Sequence, residues 1–295
     1  MKILHRFTGA VLWEDDSPTM RETLEAAVRA RASLNGASLN RASLNGASLI
    51  GASLDGASLD GASLIGASLN DASLNDASLI GASLIGASLN RASLNRASLN
   101  RASLIGASLD GASLDGASLD GASLNDASPN DASLNGASLN DASLNRASLN
   151  GASLDGASLN RASLDGASLN RASLIGASLP AFQLVPEEGS FIAWKAVLSE
   201  RGQVLAKLEI PAEAARTSSL VGRKCRASAA RVLALTLKGS GEPVDEAYSS
   251  HAGSSFVYRV GATVVPSMPF DPDIRIECAP GIHFFATRAE AEAYL

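Results

Sequence analysis

The apolar positions of this chain fall into two regimes. From residue 32 to residue 181, Ala-Ser-Leu recurs every five residues. Alanine opens each unit and leucine stands third, with Pro129 as the one replacement. The fourth position varies among Asn, Asp and Ile, and the fifth among Gly, Arg and Asp. The tract holds 30 units in 150 residues. A five-residue period fits neither a helix face, which repeats at 3.6, nor a plain strand, which repeats at 2. The chain must therefore turn a corner every five residues. If Ala and Leu point inward along a short extended side and the other residues form the bend, four sides close a square coil of twenty residues. Asn, Asp and Gly tolerate the dihedrals of such a bend. Stacked coils then bring residues twenty apart to about 4.8 Å from one another. Leucine at every fifth position excludes a disordered low-complexity tract, which has too few large apolar residues to bury.

These units resemble the pentapeptide-repeat family, whose consensus is A(D/N)LXX. Here Ser stands where Asp or Asn is usual, and Asn has moved to the residue after Leu. The resemblance implies a right-handed quadrilateral β-helix, and by length it would have about 7.5 coils.

The flanks follow other periods. Two short apolar runs, 3–7 and 10–13, surround Thr8-Gly9 and predict a hairpin. Thr19 and Glu22 form a T-x-x-E capping box. Met20, Leu24, Ala27 and Val28 then recur at helical spacing, which predicts a helix over 20–30. An open coil exposes unpaired backbone groups and its leucine core, so residues 1–31 are read as an N-terminal hairpin and capping helix. Pro129 reads as a tolerated defect or a kink, and Pro180 as part of the stop that ends the repeats at 32–181.

Residues 182–295 have no five-residue period and are read as a C-terminal α+β domain. Strands are predicted at 191–198 and 204–210 around Glu200-Arg201-Gly202, then at 230–237, 256–260, 262–265, 274–278 and 281–285. Residues 211–215 read as a helical turn, and Thr287 caps a closing helix over 288–295. The fold class is thus mainly β. Ala193-Trp194-Lys195, Arg223 to Ser228, Tyr258 to Gly261, and Cys278 to Phe285 with Ala289 and Tyr294 resemble an uncharacterised domain that follows pentapeptide repeats in actinobacterial and phage proteins. That resemblance brings no activity with it.

The variable positions test the twenty-residue coil. Six of the seven in-frame arginines have an aspartate 19 or 20 residues away. The pairs are Arg41 with Asp60, Arg91 with Asp71 and Asp110, Arg96 with Asp76 and Asp115, Arg101 with Asp120, Arg146 with Asp126 and Asp165, and Arg161 with Asp141. Each is expected to lie across neighbouring coils and to disfavour slipped registers, contributing about 0–1 kcal/mol. Ile65, Ile85 and Ile105, twenty apart, predict an outward apolar ladder with Ile80 around the adjoining corner. Two readings remain open for this row: tolerated surface isoleucines, or an association surface.

Composition narrows the function. The net charge of -6 argues against broad binding to nucleic acid or to an anionic membrane. No apolar run reaches the roughly 18 residues of a membrane span, and the N-terminus leads into no signal-like apolar region. Two cysteines make no disulfide framework. Cys278 and His283, with Cys225 and His251 as additions and Gly281 between the first two, are the residues that invite a metal site or a Cys-His pair. Their C-x4-H spacing matches no usual zinc pattern, so no cofactor, metal or catalysis is expected. The expected protein is a cytoplasmic or virion-associated structural or interaction rod of phage-related character, with an unidentified protein partner. Any homo-oligomer would use a lateral face or the C-terminal domain.

The alternative is a DNA-mimicking inhibitor or protector of gyrase, as the family resemblance implies. Charge opposes it: a rod of about 36 Å would match on the order of 21 duplex phosphates. The repeats carry twelve Asp against seven Arg.

Overall fold

A computed structural model describes residues 1–180, 183–249, 256–276 and 278–294. The chain divides into two units, Met1–Ala181 and Phe182–Leu295.

In the first unit the repeat serines form parallel bridges with the serines twenty residues on, from Ser33 with Ser53 to Ser158 with Ser178, with one gap at Ser128. The unit around Leu94 shows how the backbone is satisfied. Leu94 N–H donates to the Ser113 carbonyl (2.7 Å), Arg96 N–H to that of Asp115 (2.9 Å), and Ser113 N–H to that of Ala92 (2.9 Å). Ala97 N–H closes the corner on the Leu94 carbonyl at 3.0 Å. The Ala and Leu side chains between these bonds are buried almost completely, and they form the core of the coil.

The fifth residue of each unit takes the left-handed backbone conformation, including Arg41 (φ 57°) and Asp71 (φ 59°). The tolerance for turn dihedrals that the composition suggested belongs to this position. A non-glycine residue held there costs roughly 1–2 kcal/mol.

Pro129 is a local interruption. Among the described residues the Ser128–Ser148 bridge is missing, while Ser123–Ser143 and Ser133–Ser153 flank the gap. The contact from Ala132 N–H to the Pro129 carbonyl stretches to 3.4 Å. The missing N–H removes one rung, and the coils on either side keep their register.

The N-terminal end is closed by strands β1 (Lys2–Leu4) and β2 (Val11–Glu14), an antiparallel pair, and by helix α1 (Met20–Arg29). The Leu4 carbonyl accepts from Ser38 N–H (2.8 Å), and Arg6 N–H donates to the Gly36 carbonyl (2.7 Å), so the hairpin occupies backbone groups of the first coil. Thr19 caps α1 by accepting from Glu22 N–H, and Leu24 and Ala27 are fully buried. Asp15 ties the two elements together, accepting from Trp13 Nε1, Ser17 and Thr23 Oγ1.

The second unit contains β3 (Phe191–Ser199), β4 (Gly202–Ile210), β5 (Arg216–Thr217), β6 (Cys225–Ala227), β7 (Ala230–Leu237), β8 (Glu246–Tyr248), β9 (Val257–Arg259), β10 (Thr263–Val264), β11 (Ile282–Phe284) and α2 (Arg288–Ala293). A six-stranded antiparallel sheet runs β10-β7-β4-β3-β8-β9, and a three-stranded one runs β11-β6-β5. Backbone bonds between Trp194 and Phe285 join β3 to the end of β11 (2.9 and 2.7 Å). Val197, Val204, Leu208, Val232 and Phe284 pack in the core between the sheets. Thr287 and Glu290 form a capping box on α2.

The described residues of the expected strand 274–278 are not in a strand: Ile274 and Arg275 form a turn. The reason is Arg226, a fully buried guanidinium that donates to the carbonyls of Asp271, Asp273 and Ile276. Carbonyls gathered on one cation cannot also face a neighbouring strand.

Candidate functional site

At the corners of the coil the fourth-position side chains build ladders. Asn95 Oδ1 accepts from Ser113 Oγ (2.5 Å) and Asp115 N–H (3.1 Å), while its Nδ2 donates to Ser93 Oγ (3.1 Å). The same pattern runs without a break through Asn35, Asp55, Asn75, Asn95, Asp115, Asn135 and Asp155. The fourth-position amide, which the coil-to-coil backbone bonds leave over, is thereby satisfied. Serine at the second position is what lets each rung include a hydroxyl.

This arrangement corrects part of the expected charge pairing. Nineteen-residue neighbours meet through backbone: Arg91 N–H donates to the Asp110 carbonyl, Arg96 to Asp115, Arg101 to Asp120, Arg146 to Asp165 and Arg41 to Asp60, at 2.8–3.0 Å. Among the described residues no side-chain ion pair joins them. The carboxylates of Asp60, Asp110, Asp115 and Asp120 instead accept serine hydroxyls of the next coil. Ion pairs form between fifth-position residues twenty apart: Arg91–Asp71 (2.7 Å), Arg96–Asp76 (2.8 Å), Arg146–Asp126 (2.7 Å) and Arg161–Asp141 (2.6 Å). A fourth-position side chain points along its own corner ladder, whereas two fifth-position side chains twenty apart stack directly. The arginine hydrogen bonds hold the carboxyls of Asp71, Asp76 and Asp126 below their usual range. These pairs are solvent-exposed, so each contributes only about 0–1 kcal/mol to stability.

Isoleucine interrupts the ladder because it offers no acceptor. Ile65, Ile85 and Ile105 are 43%, 39% and 38% exposed, and Ile80 on the adjoining corner is also exposed. Each is followed by glycine: Gly66, Gly86, Gly106 and Gly81. A Cβ at any of these glycines would meet nothing within 4 Å. Each of these corners is therefore apolar and open, with glycine and not a charged residue at its fifth position.

In the C-terminal unit the structure brings Cys278, Gly281 and His283 to one cavity of about 350 Å³. Cys225 is elsewhere: it is buried on β6, its Sγ lies 3.9 Å from Ser218 Oγ, and burial pushes its thiol up to about 11. His251 lies outside the described residues. Gly281 is closely approached: a Cβ there would sit 3.2 Å from Arg226 Cβ and would push that neighbour by a few tenths of an ångström. Both cysteines are free, and among the described residues no group of three or more His, Cys, Asp or Glu could hold a metal ion.

The chemistry of the cavity comes from residues that the search for Cys and His did not single out. Lys195 on β3 donates from Nζ to the His283 carbonyl (3.0 Å) and lies 6.0 Å from the Tyr258 ring centroid. Burial, and after it repulsion from Lys224, lowers its ammonium to about 8. Lys224, itself buried, donates to Tyr294 Oη (2.7 Å) and reaches Cys278 Sγ (3.6 Å). A lysine in the middle of the apolar run FIAWKAVL was the available signal.

The stacked twenty-residue coils define the first unit as a β-helical solenoid. The pentapeptide repeat model matches in overlapping segments from residue 30 to residue 179, half of the sequence, and the chain belongs to that family. Residues 181–291 match a second model, a family of unknown function (DUF5758). Among solved structures, the chain is similar to HetL, a pentapeptide repeat protein involved in heterocyst differentiation regulation in the cyanobacterium Nostoc sp. strain PCC 7120. The identity is 32% over 53% of this chain and 84% of that one, with a TM-score of 0.35. A pentapeptide repeat protein of the Arabidopsis thaliana thylakoid lumen is 32% identical over 30% of this chain and 62% of its own, with a TM-score of 0.30. QnrB1, a plasmid-mediated fluoroquinolone resistance protein, is 20% identical over 52% of this chain and 86% of its own, with a TM-score of 0.48. A search of curated proteins gives no match. No helix among the described residues is long and apolar enough to cross a membrane.

Proposed function

We propose that this protein is a non-enzymatic interaction protein whose β-helical rod associates through the Ile65, Ile85 and Ile105 face. It carries this role as one chain of three segments: the cap at 1–31, the repeats at 32–181 and the domain at 182–295. The observation that carries the reading is the interrupted ladder. At these three corners the chain gives up the side-chain acceptor for a serine hydroxyl and a backbone N–H of the next coil, two hydrogen bonds each worth about 0.5–1.5 kcal/mol. It places instead an exposed isoleucine beside a glycine, three coils in succession. A contiguous apolar strip without charge is the composition of an interface core. The partner is a second copy of the chain, since a row that repeats at the coil spacing is complementary to itself when two rods lie side by side.

Cysteine cross-linking tests this. In a Cys278→Ser background, Ile85→Cys is expected to give disulfide-linked dimers on mild oxidation, and Asn95→Cys on another face is expected not to. Equal cross-linking at both sites, or none at residue 85, would refute the lateral face.

A further inference from the structure

Lysine, histidine and arginine stand within the first six positions of the sequence, and the folding of the cap gathers them. The Leu4 carbonyl and Arg6 N–H bond to Ser38 and Gly36, so the residues from β1 onward lie alongside the first coil. Lys2, Leu4, His5, Arg6, Gly9 and Ser38 line an open cavity of about 340 Å³ there. We propose that this cavity binds a phosphate group, free or carried as an ester.

Three donors support the site. Arg6 has a buried Nε that donates to nothing among the described residues, and its guanidinium has no ion-pair partner among them. It rests 4.4 Å from the Phe7 ring centroid. A buried donor left over in a folded protein marks the place of a bound water or ion. The His5 ring is held as a second donor. Its Nδ1 accepts from Phe7 N–H and Thr8 N–H, both at 3.3 Å, which in the neutral ring puts the proton on Nε2. Gly36 (φ 69°) leaves room for that edge of the ring, since a Cβ there would clash with His5 Nε2. The third donor is the Ser38 hydroxyl. Ser58, one coil on, gives its hydroxyl to Asn40, whereas Ser38 has no coil before it to accept.

Lys2 completes the wall. It is paired with Glu14 (3.0 Å) in a bridge whose two side chains are more than half exposed, so it adds field rather than a fixed contact. No carboxylate lines the cavity among the described residues. A guanidinium beside neutral donors suits the oxygens of a phosphate, which accept charge-assisted hydrogen bonds. The lateral isoleucine face plays no part in this argument, so the two stand or fall separately.

NMR titration of the full chain with inorganic phosphate and with glycerol phosphate, at ionic strength matched by sodium chloride, tests the proposal. The Arg6 Nε–H and His5 ring signals are expected to shift saturably, with one ligand per chain. Tighter binding of glycerol phosphate would assign an ester, and equal or weaker binding free phosphate. Arg6→Met is expected to weaken phosphate at least about tenfold, read at the His5 ring. Should that variant fail to fold, Ser38→Asp serves instead: the position is exposed, and a carboxylate there would occupy the site and abolish binding. No saturable shift by about 10 mM phosphate, or an affinity unchanged in either folded variant, would overturn the site.

Discussion

Replacing Ile50 by asparagine should stabilise the rod. Ile50 stands at a fourth position, 53% exposed, in a row where residue 70 is already Asn. Its isoleucine leaves Ser68 Oγ and Asn70 N–H without the acceptor that Asn95 gives Ser113 and Asp115. Asparagine would supply two hydrogen bonds at about 0.5–1.5 kcal/mol each. The half-exposed isoleucine forfeits about 1 kcal/mol of apolar burial. The balance is a gain of about 1 kcal/mol, concentrated in one coil. Because repeat arrays need not unfold in one step, the local readout is amide exchange at Asn70 by NMR. It should slow about tenfold, with a modest rise in melting temperature. Ile50→Ala is the control, removing the same apolar contact without adding an acceptor. The reasoning fails if Asn70 exchange is unchanged in Ile50→Asn, or if that variant melts no higher than Ile50→Ala.

Pro129→Leu restores an N–H opposite the Ser148 carbonyl and a leucine in the core. Chemical denaturation should show a gain of about 1–3 kcal/mol, and no gain would mean the neighbouring coils already absorb the defect. For Asp15, burial would raise its carboxyl, but the hydrogen bonds from Ser17, Trp13 and Thr23 outweigh that and hold it at about 2. Its contribution is therefore fully present above its ordinary value near 3.8 and is lost as pH falls from there through about 2. Asp15→Asn should flatten acid unfolding of the cap in that window, and an unchanged acid profile would contradict this. A supercoiling assay should show no gyrase inhibition at sub-micromolar protein, since Asp71, Asp76, Asp126 and Asp141 are paired with arginine and fourth-position aspartates such as Asp60 and Asp120 are engaged in the ladders. Inhibition there would favour the DNA-mimicking alternative.

The coil itself was legible because Ala and Leu recur at fixed spacing, and the spacing alone requires a turn every five residues. What the pattern concealed was the division of labour at the corner. Asn95 and Arg96 look alike as polar surface positions, yet one points along the ladder and the other takes the left-handed turn. The choice between Asp71 and Asp110 as the partner of Arg91 follows from that direction, which residue counting does not contain. In the C-terminal unit, apolar runs and a hairpin signal identified β3, β4 and β7, which pair side by side in one sheet. That reading failed at the described residues of 274–278, where Arg226, some fifty residues earlier, takes up the Ile276 carbonyl. The cavity escaped for a similar reason: Lys195 on β3 and Lys224, just before β6, are far apart in sequence and line one cavity only in the folded unit.

Light scattering across a concentration series tests the lateral face most directly. The wild-type chain should show a mass rising above 30.0 kDa toward a dimer, and the variant with Ile65, Ile85 and Ile105 all changed to asparagine should stay at the monomer mass with an unchanged or higher melting temperature. A triple variant that associates as the wild type does would contradict the account.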